Sequence, residues 1–123
     1  ATNPENALAS ANIIGFLLAD GSAVISGVTE SGGTATTVTF DDTTKATLAD
    51  DTYITLGFKA IKGTSTDTVD FYINRKKVGS SQTNVPTANL KLAAMSLSGD
   101  ATGTKVTTLD YMMAAQDRAV SYE

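Results

Sequence analysis

The chain has 123 residues, 41% of them hydrophobic, with no Cys, His or Trp, and carries a formal charge of −4. That length predicts one two-layer domain, and the acidic balance argues against general binding to nucleic acid or anionic membrane, since both need a basic surface. Without Cys or His there are no disulfides, no thiolate zinc sites and no imidazole base, so most hydrolase machinery is excluded and no catalytic residue, cofactor or resident metal is expected.

Residues 1–12, ATNPENALASAN, are small and polar with one Pro, and are expected to form a flexible arm ahead of a domain spanning 13–123. The chain opens on Ala1 and not on Met, which fits either processing or a longer parent chain. IIGFLLA at 13–19 is apolar apart from Gly15 and suits a strand covered on both faces, with a short buried helix as the competing reading. It is too short to span a bilayer and lacks the basic flank of a signal peptide. Asp20-Gly21 supplies a turn, AVISGV at 23–28 a second strand, and Ser31-Gly32-Gly33 a hairpin break. Residues 34–40 read as a third strand, with Val38 and Phe40 on one face and Thr37 and Thr39 on the other, stopped by Asp41-Asp42. TTKATLADD at 43–51 is expected to be a loop whose Leu48 plugs the end of the domain, a helical turn being the alternative.

The clearest hairpin lies in TYITLGFKAIKGTSTDTVDFYINRKKVG at 52–79. Ile54, Leu56, Phe58 and Ala60 share one face of its first arm, and Val69, Phe71 and Ile73 one face of its second, so each arm is expected to be half-buried against a common core. The polar run at 62–67 joins them. A further turn is expected at Asn74-Arg75-Lys76-Lys77, with the strand resuming at Val78-Gly79. Residues 80–89 are a polar connection with Pro86, able to cross from one sheet to the other. Leu90, Leu92 and Ala94 alternate while Met95 and Leu97 fall out of phase, which predicts a bulge or a strand buried on both faces. Residues 98–105 form a turn, 106–113 a last strand and 114–122 a tail. About seven strands with turns every 8–12 residues is the spacing of an all-β antiparallel sandwich.

From Tyr53 to Arg118 the pieces TYITLGFK, VDFYINRKKVGS, a Pro-containing crossover ending in NLKLAAMS, and TTLDYMMAAQDR resemble the concanavalin A-like, laminin-G-type jelly rolls of tailed-bacteriophage structural proteins. In such chains a strand of the form Y-x-x-L-G-F is followed by F-Y-x-N-G and later by an x-x-D-Y/W strand. Arg75 stands where that pattern has Gly, a departure that bears on the tight two-residue turn and not on the pairing. The chain is also shorter than a complete laminin-G domain, which leaves one or two N-terminal strands to come from elsewhere, a neighbouring copy included. The resemblance implies a non-enzymatic virion protein. Its leading form is a homo-oligomeric capsid decoration (cement) protein on the capsid exterior, with the major capsid protein as partner; the alternative is a lectin-like module of a tail or fibre, with glycan as partner.

Asp41-Asp42 and Asp50-Asp51 bracket a loop and offer oxygen ligands for Ca²⁺, against the plainer role of capping strand ends and keeping edges soluble. Asp67, Asp70, Asp100 and Asp110 are scattered singly and do not supply the paired acids of a glycosidase; for Asp70 and Asp110 a structural hydrogen bond is expected. Tyr53, Tyr72 and Tyr111 would form a sugar platform if they shared a surface, with Tyr72 expected to be the most exposed. Arg75-Lys76-Lys77 either meets an acidic partner or is a solvated loop, and Met112-Met113 is either core or interface. The interface candidates are therefore Tyr72, Arg75, Lys76, Lys77, Met112 and Met113.

Overall fold

The computed structural model describes residues 12–19, 21–88, 90 and 108–115. Within them lie β1 (Ile13–Leu18), β2 (Ile25–Ser31), β3 (Thr34–Val38), a one-turn helix α1 (Thr43–Ala46), β4 (Leu56–Ile61), β5 (Thr68–Ile73) and β6 (Lys76–Ser81). The strands form two three-stranded antiparallel sheets, ordered β1-β2-β3 and β4-β5-β6. The class is the all-β sandwich that the alternation of apolar residues predicts.

Each sheet is a meander, and its turns follow from local chemistry. Gly32 and Gly33 have φ of 60° and 84°, the left-handed pair of a two-residue hairpin whose twist suits the strands on either side. Between β1 and β2, Ser22 N–H donates to Ala19 O at 3.1 Å around Gly21. In the second sheet the register sets Leu56 opposite Ile73, Phe58 opposite Phe71 and Ala60 opposite Val69, so these six side chains share the inner face as expected.

The two sheets meet with β1 over β4 and β3 over β6. Phe16, Phe40 and Phe71 pack together with ring centroids 5.5–6.1 Å apart and tilted or edge-on planes, the arrangement that ring quadrupoles favour. Two glycines make this approach feasible. A Cβ on Gly27 would stand 3.0 Å from the Phe71 ring, and one on Gly79 would stand 3.0 Å from the Phe40 ring. Ile25, Ala46, Val69, Ile73 and Val78 complete the buried core, with Leu48 and Ile54 packed against it.

Several expectations are corrected. Residues 43–46 are a helical turn and not a loop, because Asp42 accepts the Lys45 N–H at 3.2 Å as an N-cap, although Leu48 does pack on the core. β1 is a strand, but it is the edge of its sheet and only half-buried, so it is not covered on both faces. The first arm of the central hairpin, β4, is largely exposed while β5 is sealed: β4 lies at a sheet edge and β5 in the middle. The turn expected over 74–77 shortens to Asn74-Arg75, and the strand resumes at Lys76. Residues 108–113 form no strand and are exposed.

The polar connection after β6 does reach the other sheet. Thr29 Oγ1 on β2 donates to Thr83 O at 2.8 Å, and Asn84 Nδ2 donates to Thr36 Oγ1 on β3 at 2.9 Å, with Pro86 buried. The turn expected at 98–105 lies outside the described residues, and so do the arm expected at 1–12, the strand expected from Leu90 to Leu97 and the tail at 114–122, apart from Asn12, Leu90 and 114–115.

Candidate functional site

The basic turn is built by the β5–β6 hairpin. Asn74 and Arg75 have φ of 50° and 67°, so the two-residue turn forms without the Gly that usually relieves its second position. Asn74 also fastens the turn to the start of β4: its N–H donates to Thr55 O at 2.8 Å, and its Oδ1 accepts the Thr55 N–H at 3.0 Å. A register shift between Phe71 and Tyr72 then sets Tyr72 opposite Lys77.

Lys77 Nζ stands 2.8 Å from Asp70 Oδ1. That approach holds the Lys77 ammonium above its ordinary value of 10.5, opposed by partial desolvation and helped slightly by Tyr72. Asp70 Oδ1 is buried, and the Lys77 ammonium beside it compensates its desolvation as an ion pair. The hydrogen bond expected of Asp70 is replaced by an ion pair, which engages Lys77 within the fold. Arg75 and Lys76 remain exposed at the hairpin tip.

The other candidates separate. Tyr72 is half-buried, and not the most exposed tyrosine, because it lies on a central strand; Tyr53 and Tyr111 are 71% and 66% exposed. Met112 and Met113 are 39% and 79% exposed, on a segment outside both sheets, so they are not core. Asp42 is used as the α1 cap and as an ion pair with Lys45, whose hydrogen bonds lower its pKa. Among the described residues no three acidic side chains converge as a metal site. Asp67 accepts the Gly63 N–H at 3.1 Å and lies 3.3 Å from Lys62 Nζ; the Gly63 bond, opposed by desolvation and then aided by Lys62, depresses its pKa. Asp110 is exposed, and Asp100 lies outside the described residues.

No known protein family, curated protein or solved structure matches the chain.

The feature that sequence reasoning missed is the lateral position of β4, which leaves its apolar row exposed. Leu56, Phe58 and Ile61 are 39%, 42% and 39% exposed, and Phe58 is the single phenylalanine of four outside the aromatic cluster. Alternation assigns a side chain to a face of the sheet but does not say whether the strand is central or lateral. Lys59 is a weak signal in retrospect, since a charged residue in an otherwise apolar strand is a device of edges. The described surface therefore offers a basic hairpin tip and an apolar strand edge.

Proposed function

We propose that this chain is a non-enzymatic structural protein of a bacteriophage virion, a capsid decoration protein whose jelly roll sits on the capsid exterior and bridges major capsid subunits as a homo-oligomer. The observation that carries the reading is the ordered run of motifs from TYITLGFK through VDFYINRKKVGS to TTLDYMMAAQDR. Its support in the fold is the tight turn at Asn74-Arg75, which keeps the hairpin geometry that the F-Y-x-N-G pattern implies in spite of the arginine. The lack of Cys and His fits a protein whose work is adhesion.

The physical mechanism is linkage. A protein that binds the assembled shell and not its free subunits stabilises the shell by mass action, and many symmetric copies multiply a modest contact. On a chain with a net charge of −4, the exposed Arg75 and Lys76 form a local basic point suited to an acidic patch on the shell.

Quantitative mass spectrometry of purified particles tests this. Near-stoichiometric amounts relative to the major capsid protein are expected, with release of the protein when Arg75 and Lys76 are both changed to Glu. A few copies per particle would move the chain to the tail or fibre, and its absence from particles would overturn the reading.

A further inference from the structure

The inner face of the second sheet is sealed at β5 and open at β4. Val69, Phe71 and Ile73 are 0% exposed, yet their cross-strand partners Leu56 and Phe58 are about two-fifths exposed and Ala60 is exposed as well. β4 is also a lateral strand, with β5 as its single neighbour among the described residues. An open apolar edge of this kind is a template for another strand.

The hydrogen-bond phase of β4 can be worked out. Asn74 N–H donates to Thr55 O, so the main chain of Thr55 points toward β5. Main-chain groups alternate in direction along an antiparallel strand, so Gly57, Lys59 and Ile61 also address β5, and Leu56, Phe58 and Ala60 address the open side. The residues with apolar side chains on the inner face are therefore the ones whose N–H and C=O have no strand partner among the described residues.

We propose that β4 is a self-association surface, on which two copies pair β4 with β4 antiparallel about a two-fold axis at Phe58. The phase restricts which registers are hydrogen-bonded, and charge chooses among them. Centring on Lys59 would set two ammonium groups face to face, which opposed strands avoid. Centring on Phe58 pairs Leu56 with Ala60 of the second copy, keeps residues 56–60 of β4 in the ladder, and places Lys59 opposite Gly57 of the second copy, where there is no side chain to clash. Across that outer row the order is Asp70, Lys59, then Gly57 and Tyr72 of the second copy, with no adjacent like charges. The inner row reads Phe71, Phe58, Phe58, Phe71, a continuous aromatic stripe.

One short strand and its inner face place this contact in the small, transient class of interfaces, so a reversible dimer is expected. The proposal deepens the self-association in the capsid reading but stands on β4 alone, and it is scored separately from copy number in particles.

Sedimentation of the full chain over a range of concentrations tests it, beside Phe58→Lys. A monomer–dimer equilibrium is expected, weakened roughly 100-fold or more in the variant, which would have to bury two unpaired ammonium groups. Because Phe58 is exposed, the variant keeps its fold, checked by its circular dichroism and its melting in dilute solution. The register is read by mixing Lys59→Cys and Gly57→Cys chains. These positions form a non-hydrogen-bonded pair with close Cα atoms, so the mixed disulfide should form faster than either symmetric one. A monomer at all concentrations would overturn the proposal, and with protected β4 amides it would assign the edge to the chain's own residues. A dimer indifferent to Phe58→Lys, or a preference for symmetric disulfides, would overturn it equally.

Discussion

Phe58 and Phe71 are neighbours across the β4–β5 pair, on the same face, and their surroundings differ: Phe71 is 0% exposed between two other rings, and Phe58 is 42% exposed. Truncating Phe71 leaves a cavity that the clustered rings and Gly27 cannot fill, so Phe71→Ala should cost roughly 3–5 kcal/mol in denaturant unfolding. Phe58→Ala, measured in dilute protein, should cost less than about 1 kcal/mol, as surface changes do. Equal losses would mean that β4 is covered in the monomer. Asp67 carries a pH prediction. Its folded pKa lies below the ordinary 3.8, so the stability it contributes is present above 3.8 and is lost as pH falls through the depressed folded value. Acidification below pH 3.8 should therefore lower the melting temperature of the parent more than that of Asp67→Asn. Identical acid limbs would show that the Gly63 and Lys62 contacts do not shift the carboxylate.

At the level of elements, what could be read from the residues depended on whether a signal is local. Gly32-Gly33 announces its own turn, and β1 and β3 form within the stretches expected at 13–19 and 34–40, β3 stopping at Val38. Asn74-Arg75 lacks the Gly that marks such a turn, so the sequence spread it over four residues where the backbone needs two. The helical turn at α1 is too short for periodicity to register, and only the Asp42 cap betrays it. Leu109, Tyr111 and Met113 alternate as a strand would, but a strand exists only with a partner, and none is present among the described residues. The turn supplies a test: Arg75 holds φ of 67°, a region costly for a residue with a Cβ. Arg75→Gly should stabilise the domain by up to about 1 kcal/mol. A loss of stability would show that the arginine makes a compensating contact.

For the whole molecule, composition and period-two patterning sufficed for an all-β, two-layer fold, because both report how side chains divide between core and solvent. Lateral order was not legible, since neither says which strand ends up at an edge. The candidate site inherited that gap: the basic tip could be seen in the sequence, while the open flank of β4 could not. Lateral order also sets a hierarchy of local stability. β2 and β5 are the central strands, with Thr29, Val69, Phe71 and Ile73 at 0% exposure, so their amides should exchange with solvent only through global unfolding. β4 should behave differently at successive residues. In dilute protein the N–H groups of Gly57, Lys59 and Ile61, directed at β5, should be protected, and those of Leu56, Phe58 and Ala60 should exchange faster. Raising the concentration should slow the second set and leave the first unchanged, since β4–β4 pairing satisfies the outward groups alone. Uniform protection along β4 at high dilution would mean that its edge is already paired within a single chain, and the lateral order of this sheet would then continue past β4.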